Sequence, residues 1–192
     1  MAPNIDWGGL YEIYEANQTF LRLAYEYWRQ YTYNAPVWWL LILTLILPWI
    51  IWWRFVDKAR LSLCLSLGLL TLIVCTGLDA VGVAHGRWVY PHKLLGTFPH
   101  LVPVNFSLLP VSYMLIYQFF PSWKKYLRAS FAMGLLFAFV GEPVLIFLGV
   151  YLPLQWYHHY SFPLYIAIAV AVKAAGDGMR GLQERHGKKP AD

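Results

Sequence analysis

Five apolar segments, at 36–53, 61–82, 101–120, 128–151 and 162–179, run through the chain. Each is close to the ~20 residues a helix needs to cross a hydrocarbon core of ~30 Å. Ahead of them, Leu10, Ile13, Tyr14, Phe20, Leu21, Ala24, Tyr27 and Trp28 recur at helical three- and four-residue spacing, with Glu12, Glu15, Arg22, Glu26 and Arg29 largely on the other side. Charges are too frequent there for a span, so the stretch predicts an amphipathic helix lying at the interface. It lacks the basic start, short apolar core and small-residue cleavage site of a signal peptide. The pattern therefore predicts an all-α fold, a polytopic membrane helix bundle of about five transmembrane helices. The interfacial helix occupies 1–35, the transmembrane domain 36–179 and a basic tail 180–192. No internal repeat is evident.

Composition strengthens this picture. Of 192 residues, 59% are hydrophobic and 13% charged, with a mean hydropathy of +0.46, so a soluble domain would leave large apolar surfaces exposed. Aromatics make up 18%, with ten Trp, more than interface belts alone need; many of the rings are expected to line an interior. Cys64 and Cys75 lie in one apolar segment, about 16 Å apart along a helix axis, too far to bridge each other. They read as buried small hydrophobes.

Charge changes the picture in one respect, because the basic residues sit at the ends of apolar runs, which is the positive-inside pattern and not a nucleic-acid patch. Arg54, Lys58, Arg60, Lys124, Lys125, Arg128, Arg180, Arg185, Lys188 and Lys189 fall on one side; Arg22, Arg29, Arg87 and Lys93 fall on the other. The expected location is the cell membrane, with the N-terminus outside and the C-terminus cytoplasmic. Lys173, inside the last span, is expected to snorkel to the inner surface.

The candidate chemistry gathers between Leu78 and Phe106, where Asp79, His85, Arg87, Trp88, Tyr90, His92, Lys93, His100 and Asn105 follow one another. The expected topology brings Glu142 and the Trp156–His159 stretch to the same outer level, so one polar pocket can collect them. An acid at membrane depth costs ~2.5–3.5 kcal/mol on insertion scales and usually faces protein or water. Glu142 reads either as an acid that gives or shuttles a proton or as an anchor paired with Arg87 or Lys93. Asp79 reads as a functional acid or as a cap within the loop. Pro48, Pro103, Pro110 and Pro143 interrupt spans and free carbonyls one turn back, that of Phe139 beside Glu142 among them. The histidines lack any spacing that places two on one helical face, so no metal site is expected. Trp88, Tyr90, Phe139, Tyr113 and Trp156 are either packing or the walls of a greasy pocket whose ring faces stabilise cations by ~0.5–2 kcal/mol each. A phosphate loop, an aspartate-rich diphosphate–magnesium motif, GxSxG and HExxH are all missing; phosphoryl transfer, prenyl diphosphate ionisation and metalloproteolysis are disfavoured.

From Trp52 to about Met179 the chain resembles an uncharacterised family of small polytopic membrane proteins of bacillus- and clostridium-type bacteria. The resemblance rests on Trp53–Arg60, Leu78-Asp79, Gly86–Pro91, Leu109-Pro110, Tyr117–Phe120, Phe139–Pro143 and Ser161–Tyr165, and that family implies no activity. Asp79, then Gly86, Trp88 and Tyr90, then Leu95-Gly96 and Pro103 also resemble the motif of membrane-embedded lycopene cyclase domains. Those enzymes protonate a polyene end and close a ring through a carbocation. Where such domains carry paired acids after the proline, this chain has Asn105 and Phe106; a shared chemistry would then draw its proton from Glu142 or Asp79.

The resulting expectation is a membrane-embedded isoprenoid cyclase or isomerase without cofactor, acting on a hydrophobic substrate among membrane lipids. Glu142 and Asp79 are the expected catalytic pair. Asn105, Trp88, Tyr90, His100, Tyr113, Phe139, Trp156 and His158 are the expected substrate-binding set. The alternatives are a proton-coupled transporter or lipid-binding protein, in which transport would require a homo-oligomer, and an assembly protein of the envelope.

Overall fold

The computed structural model describes residues 6–186. Helix α1, Trp7–Tyr31, starts where Asp6 accepts hydrogen bonds from the Gly8 and Gly9 amides. Helix α2, Pro36–Phe55, leads through a short 3₁₀ turn to α3, Leu61–Ala84. A long connection carries strand β1, Trp88–Val89, and ends in a π turn, Val104–Leu108, that runs into α4, Leu109–Phe119. Helix α5, Trp123–Leu136, passes through a second π turn, Phe137–Gly141, into α6, Glu142–Phe147. Strand β2, Leu152–Pro153, then precedes α7, His158–His186. The fold is all-α apart from the antiparallel β1–β2 pair, in which Trp88 faces Pro153 and Val89 faces Leu152.

Four helices, Pro36–Phe55, Lys58–Ala84, Trp123–Phe147 and His158–Arg185, are long and apolar enough to cross a membrane. Most of their side chains face outward; Leu43, Ile46, Ile50 and Trp53 of α2 are exposed. The third apolar segment is also helical, but it runs only from 102 to 119. At 1.5 Å per residue that is about 27 Å, just short of a ~30 Å core. The last helix begins at His158, four residues ahead of expectation, and continues through most of the supposed tail; positions 187–192 lie outside the described residues. Ser122 caps α5 by accepting from the Lys125 amide, which draws Lys124 and Lys125 into the helix. Lys173 does not snorkel. Its side chain is 1% exposed and ends at the Pro121 carbonyl (2.7 Å) and Asp177 (3.0 Å), 4.7 Å from the centre of the Tyr117 ring.

The two π turns share one construction. In each, the wide hydrogen bond is donated by the residue just before a proline: the Leu109 N–H to the Val104 carbonyl, and the Glu142 N–H to the Phe137 carbonyl. Pro110 and Pro143 cannot donate to the carbonyl four residues back, and a wider turn relieves the clash with it. The carbonyl freed by Pro110, that of Phe106, is recovered by the Trp49 indole at 3.2 Å.

A second parallel, which the π turns do not follow, runs through the bundle and corrects the reading that no repeat exists. Five of the eight buried positions on α3 (Leu63, Leu67, Thr71, Cys75, Asp79) recur 63 residues later on α5–α6 as buried Tyr126, Ser130, Gly134, Ala138 and Glu142. The same offset relates Asn105 to Ile168 and Leu109 to Val172. It also relates Gly86 to Gly149, whose φ values of 62° and 68° are left-handed, a conformation glycine adopts without steric cost. Two like halves, each a helix, a left-handed glycine, a short strand and a returning helix, thus meet across the β1–β2 pair. The repeat is faint in the sequence because, apart from the glycine pair and the two acids, the matched positions agree in burial and not in residue type.

One end of the bundle holds the basic connections. There the Asp57 amide donates to Gln118, and Gln118 donates to the Phe55 carbonyl, both at 2.8 Å. At the other end α1 is tied to the β1 connection, with Trp28 and Trp38 donating to the Lys93 and Leu94 carbonyls and Thr32 bonded to His92 at 2.8 Å. Burial holds the imidazole of His92 and the ammonium of Lys93 below their ordinary pKa values.

Candidate functional site

Between the two halves lies a half-open cavity of about 110 Å³. Asp79, Asn105, Trp88 and Tyr90 line it from the first half; Glu142, Tyr151, Trp156 and Tyr165 line it from the second. A cavity near 150 Å³ holds a benzene ring, so this half-open one is somewhat smaller than a ring-sized site and too small for a whole long chain.

Asp79 sits on the buried face of α3, one turn from its end. Its Oδ1 accepts from the Trp88 indole (2.9 Å) and the Tyr90 hydroxyl (2.6 Å). Its Oδ2 accepts from the Asn105 amide (2.7 Å) and meets His100 Nδ1 at 3.2 Å. A carboxylate offers about four lone-pair positions, and all are taken. Each partner has a structural reason for being there. Gly86 turns the chain back so that β1 brings Trp88 over Gly82, where any Cβ would overlap the ring. The first π turn projects Asn105 inward.

Glu142 occupies the equivalent place in the second half and is buried, but is bonded differently. Its Oε1 accepts from the Tyr165 hydroxyl (3.1 Å) and its Oε2 meets His158 Nδ1 at 2.7 Å. Neither Arg87 nor Lys93 reaches it; Arg87 contacts Gln155 instead. The positions corresponding to the donors of Asp79 explain the contrast. Tyr90 is matched by Pro153 and Asn105 by Ile168, which carry no side-chain donor, and the match of Trp88, Tyr151, makes no bond to Glu142. Glu142 therefore has two side-chain partners where Asp79 has four.

The expected site residues divide into three groups. Asp79, Glu142, Asn105, Trp88, Tyr90 and Trp156 line the cavity together. His100 and His158 stand behind the two acids. Tyr113 and Phe139 do not join them. Tyr113 is 0% exposed and donates to the Tyr165 carbonyl at 2.8 Å, while Phe139 is 49% exposed and packs toward Phe162. Tyr151 and Tyr165 line the cavity although sequence reasoning missed both, and Tyr165 bonds Glu142; a signal for Tyr165 existed. Tyr165 lies seven positions after His158, on the same helical face, a signal hidden when the helix is started at 162. Among the described residues no three His, Cys, Asp or Glu side chains group as a metal site.

Fold and site together define an all-α bundle of membrane-spanning character, with two buried acids facing each other's half across an aromatic cavity. Compared with family models, curated proteins and solved structures, the chain matches none.

Proposed function

We propose that the protein is a membrane-embedded, non-redox cyclase or isomerase that acts on the end group of an isoprenoid-type hydrophobic substrate. One observation carries this reading: two carboxylates in one aromatic cavity, of which one is saturated with donors and the other is not. Glu142, in its acid form, gives its proton to a substrate double bond. The resulting carbocation closes on a neighbouring double bond or shifts. The fixed negative charge of Asp79 and the ring faces of Trp88, Tyr90, Tyr151 and Trp156 stabilise it, the rings by ~0.5–2 kcal/mol each. Loss of a proton from an adjacent carbon to the Glu142 carboxylate then restores the acid, so substrate and product are isomers. The end group fills the cavity while the remaining chain lies among membrane lipids. The excess of Lys and Arg at the opposite end of the bundle supports an outer location for this site.

The test is to purify the protein in mild detergent, extract the lipids that accompany it and identify them by mass spectrometry beside the Glu142→Gln variant. A cyclised isoprenoid with the native protein and its open precursor with the variant are expected; with substrate supplied, the variant loses about 10²–10⁴ in rate. Bulk phospholipid alone, unchanged by the substitution, overturns the proposal.

The two like halves favour a second reading, since transporters are often built from related repeats around a central ionisable residue. In that case Glu142 couples a proton to the passage of a hydrophobic solute, and proton flux into vesicles depends on that solute.

A further inference from the structure

The duplicated frame makes the two acids directly comparable, and the groups that reach them differ in one respect that the cyclase reading leaves unused. The imidazole behind Asp79, His100, is 12% exposed, whereas the imidazole behind Glu142, His158, is 33% exposed. The two histidines are not equivalent positions either: the offset of 63 would put the match of His100 at Pro163 and that of His158 at Leu95. His158 has no histidine counterpart in the first half and stands at the start of α7, where the chain re-enters the bundle.

We propose that His158 is the proton port of the site, a relay between the water at that end of the bundle and Glu142. The proposal deepens the acid–base reading and rests on it, since Glu142 must hold a proton before substrate arrives. Four observations support it. The Nδ1–Oε2 distance of 2.7 Å is the shortest contact Glu142 makes. Nδ1 is the only ring atom of His158 with a protein partner among the described residues, which leaves Nε2 available to water. The other partner of Glu142, Tyr165, is half-buried and lines the cavity, and its hydroxyl donates to Oε1. The remaining ionisable groups around the acid, Tyr151 from the β2 connection and Asp79 across the cavity, are buried.

The transfer balances without a further reagent. A proton from water or buffer adds to Nε2, giving the imidazolium. The Nδ1 proton then moves to Oε2, leaving neutral imidazole and a protonated Glu142. Exchange with water restores the Nδ1–H form. One proton enters for each proton delivered, and no electron moves. His158 touches the acid and not the substrate, so it is a positioning and relay residue, not a catalytic one.

The experiment needs no substrate. In protein reconstituted in phosphatidylcholine vesicles, the infrared band of a protonated carboxyl, assigned to Glu142 by its absence in Glu142→Gln, is followed after a rapid drop in pH. Removing the relay in His158→Gln or His158→Asn should slow its appearance at least about tenfold, with thermal unfolding unchanged in at least one of the two. Added imidazole should restore the rate in His158→Gly, and His100→Gln should leave it near native. Equal loading rates in native and His158 variants overturn the relay, as does an equal effect of His100→Gln or the absence of any Glu142 acid band in the native protein. A relay that passes while no isomerised lipid is found would leave the port standing and remove the cyclase reading.

Discussion

At the scale of single residues, the site shows what sequence can and cannot reveal. Asp79 and Glu142 announce themselves, because an acid inside an apolar run is costly unless the fold provides for it. The depth of the aromatics was equally legible. Their rotation was not: each π turn inserts one residue and swings the following face by about 100°. Tyr113 and Phe139 were therefore placed at the right level and on the wrong side. Lys173 shows the same limit, since its closeness to a span end suggests snorkelling while its side chain is held by Asp177, one turn along the same helix, and by Tyr117 of the neighbouring α4. Its burial makes a ranking testable. Asp177→Ala leaves the Lys173 ammonium buried without its counter-ion and should cost about 3 kcal/mol or more. Lys173→Met removes the charge and fills the space, and should cost less. Chemical denaturation of both variants in the same detergent measures the order.

Among the elements, the α1 joint carries a pH dependence whose sign follows from His92. Burial lowers its pKa from the ordinary 6.5, so the docked state prefers the neutral ring and binds fewer protons than the undocked one. The joint is therefore fully stable above about 6.5 and loosens as pH falls through the ordinary value and below. Acidification from about pH 7.5 to about pH 5 should increase protease cutting near Thr32, and His92→Gln should flatten that response. The existence of the main elements was readable from apolar run length, because a hydrocarbon core dictates how many residues a span needs. Their boundaries were not. The last apolar run starts at 162 in the sequence, yet α7 begins at His158 and carries Pro163 inside it.

Over the whole molecule, the arrangement of charge and thiols allows the orientation to be checked without a ligand. The only two cysteines, Cys64 and Cys75, are buried, so the native protein should stay silent toward a membrane-impermeant thiol reagent. A cysteine placed at Gln155 should label in intact cells and one placed at Ser122 only after permeabilisation; the reverse pattern would invert the assigned topology. The duplication also explains how one short chain came to hold acids of unlike character. In the vocabulary of assembly, α3–α4 and α5–α7 stand to each other as two subunits of a closed dimer whose members have been written onto one strand. A true dimer must keep both copies of a site the same. Joined copies are released from that constraint, so one acid could be sealed by Trp88, Tyr90, Asn105 and His100 while its twin lost those donors and acquired a histidine near water.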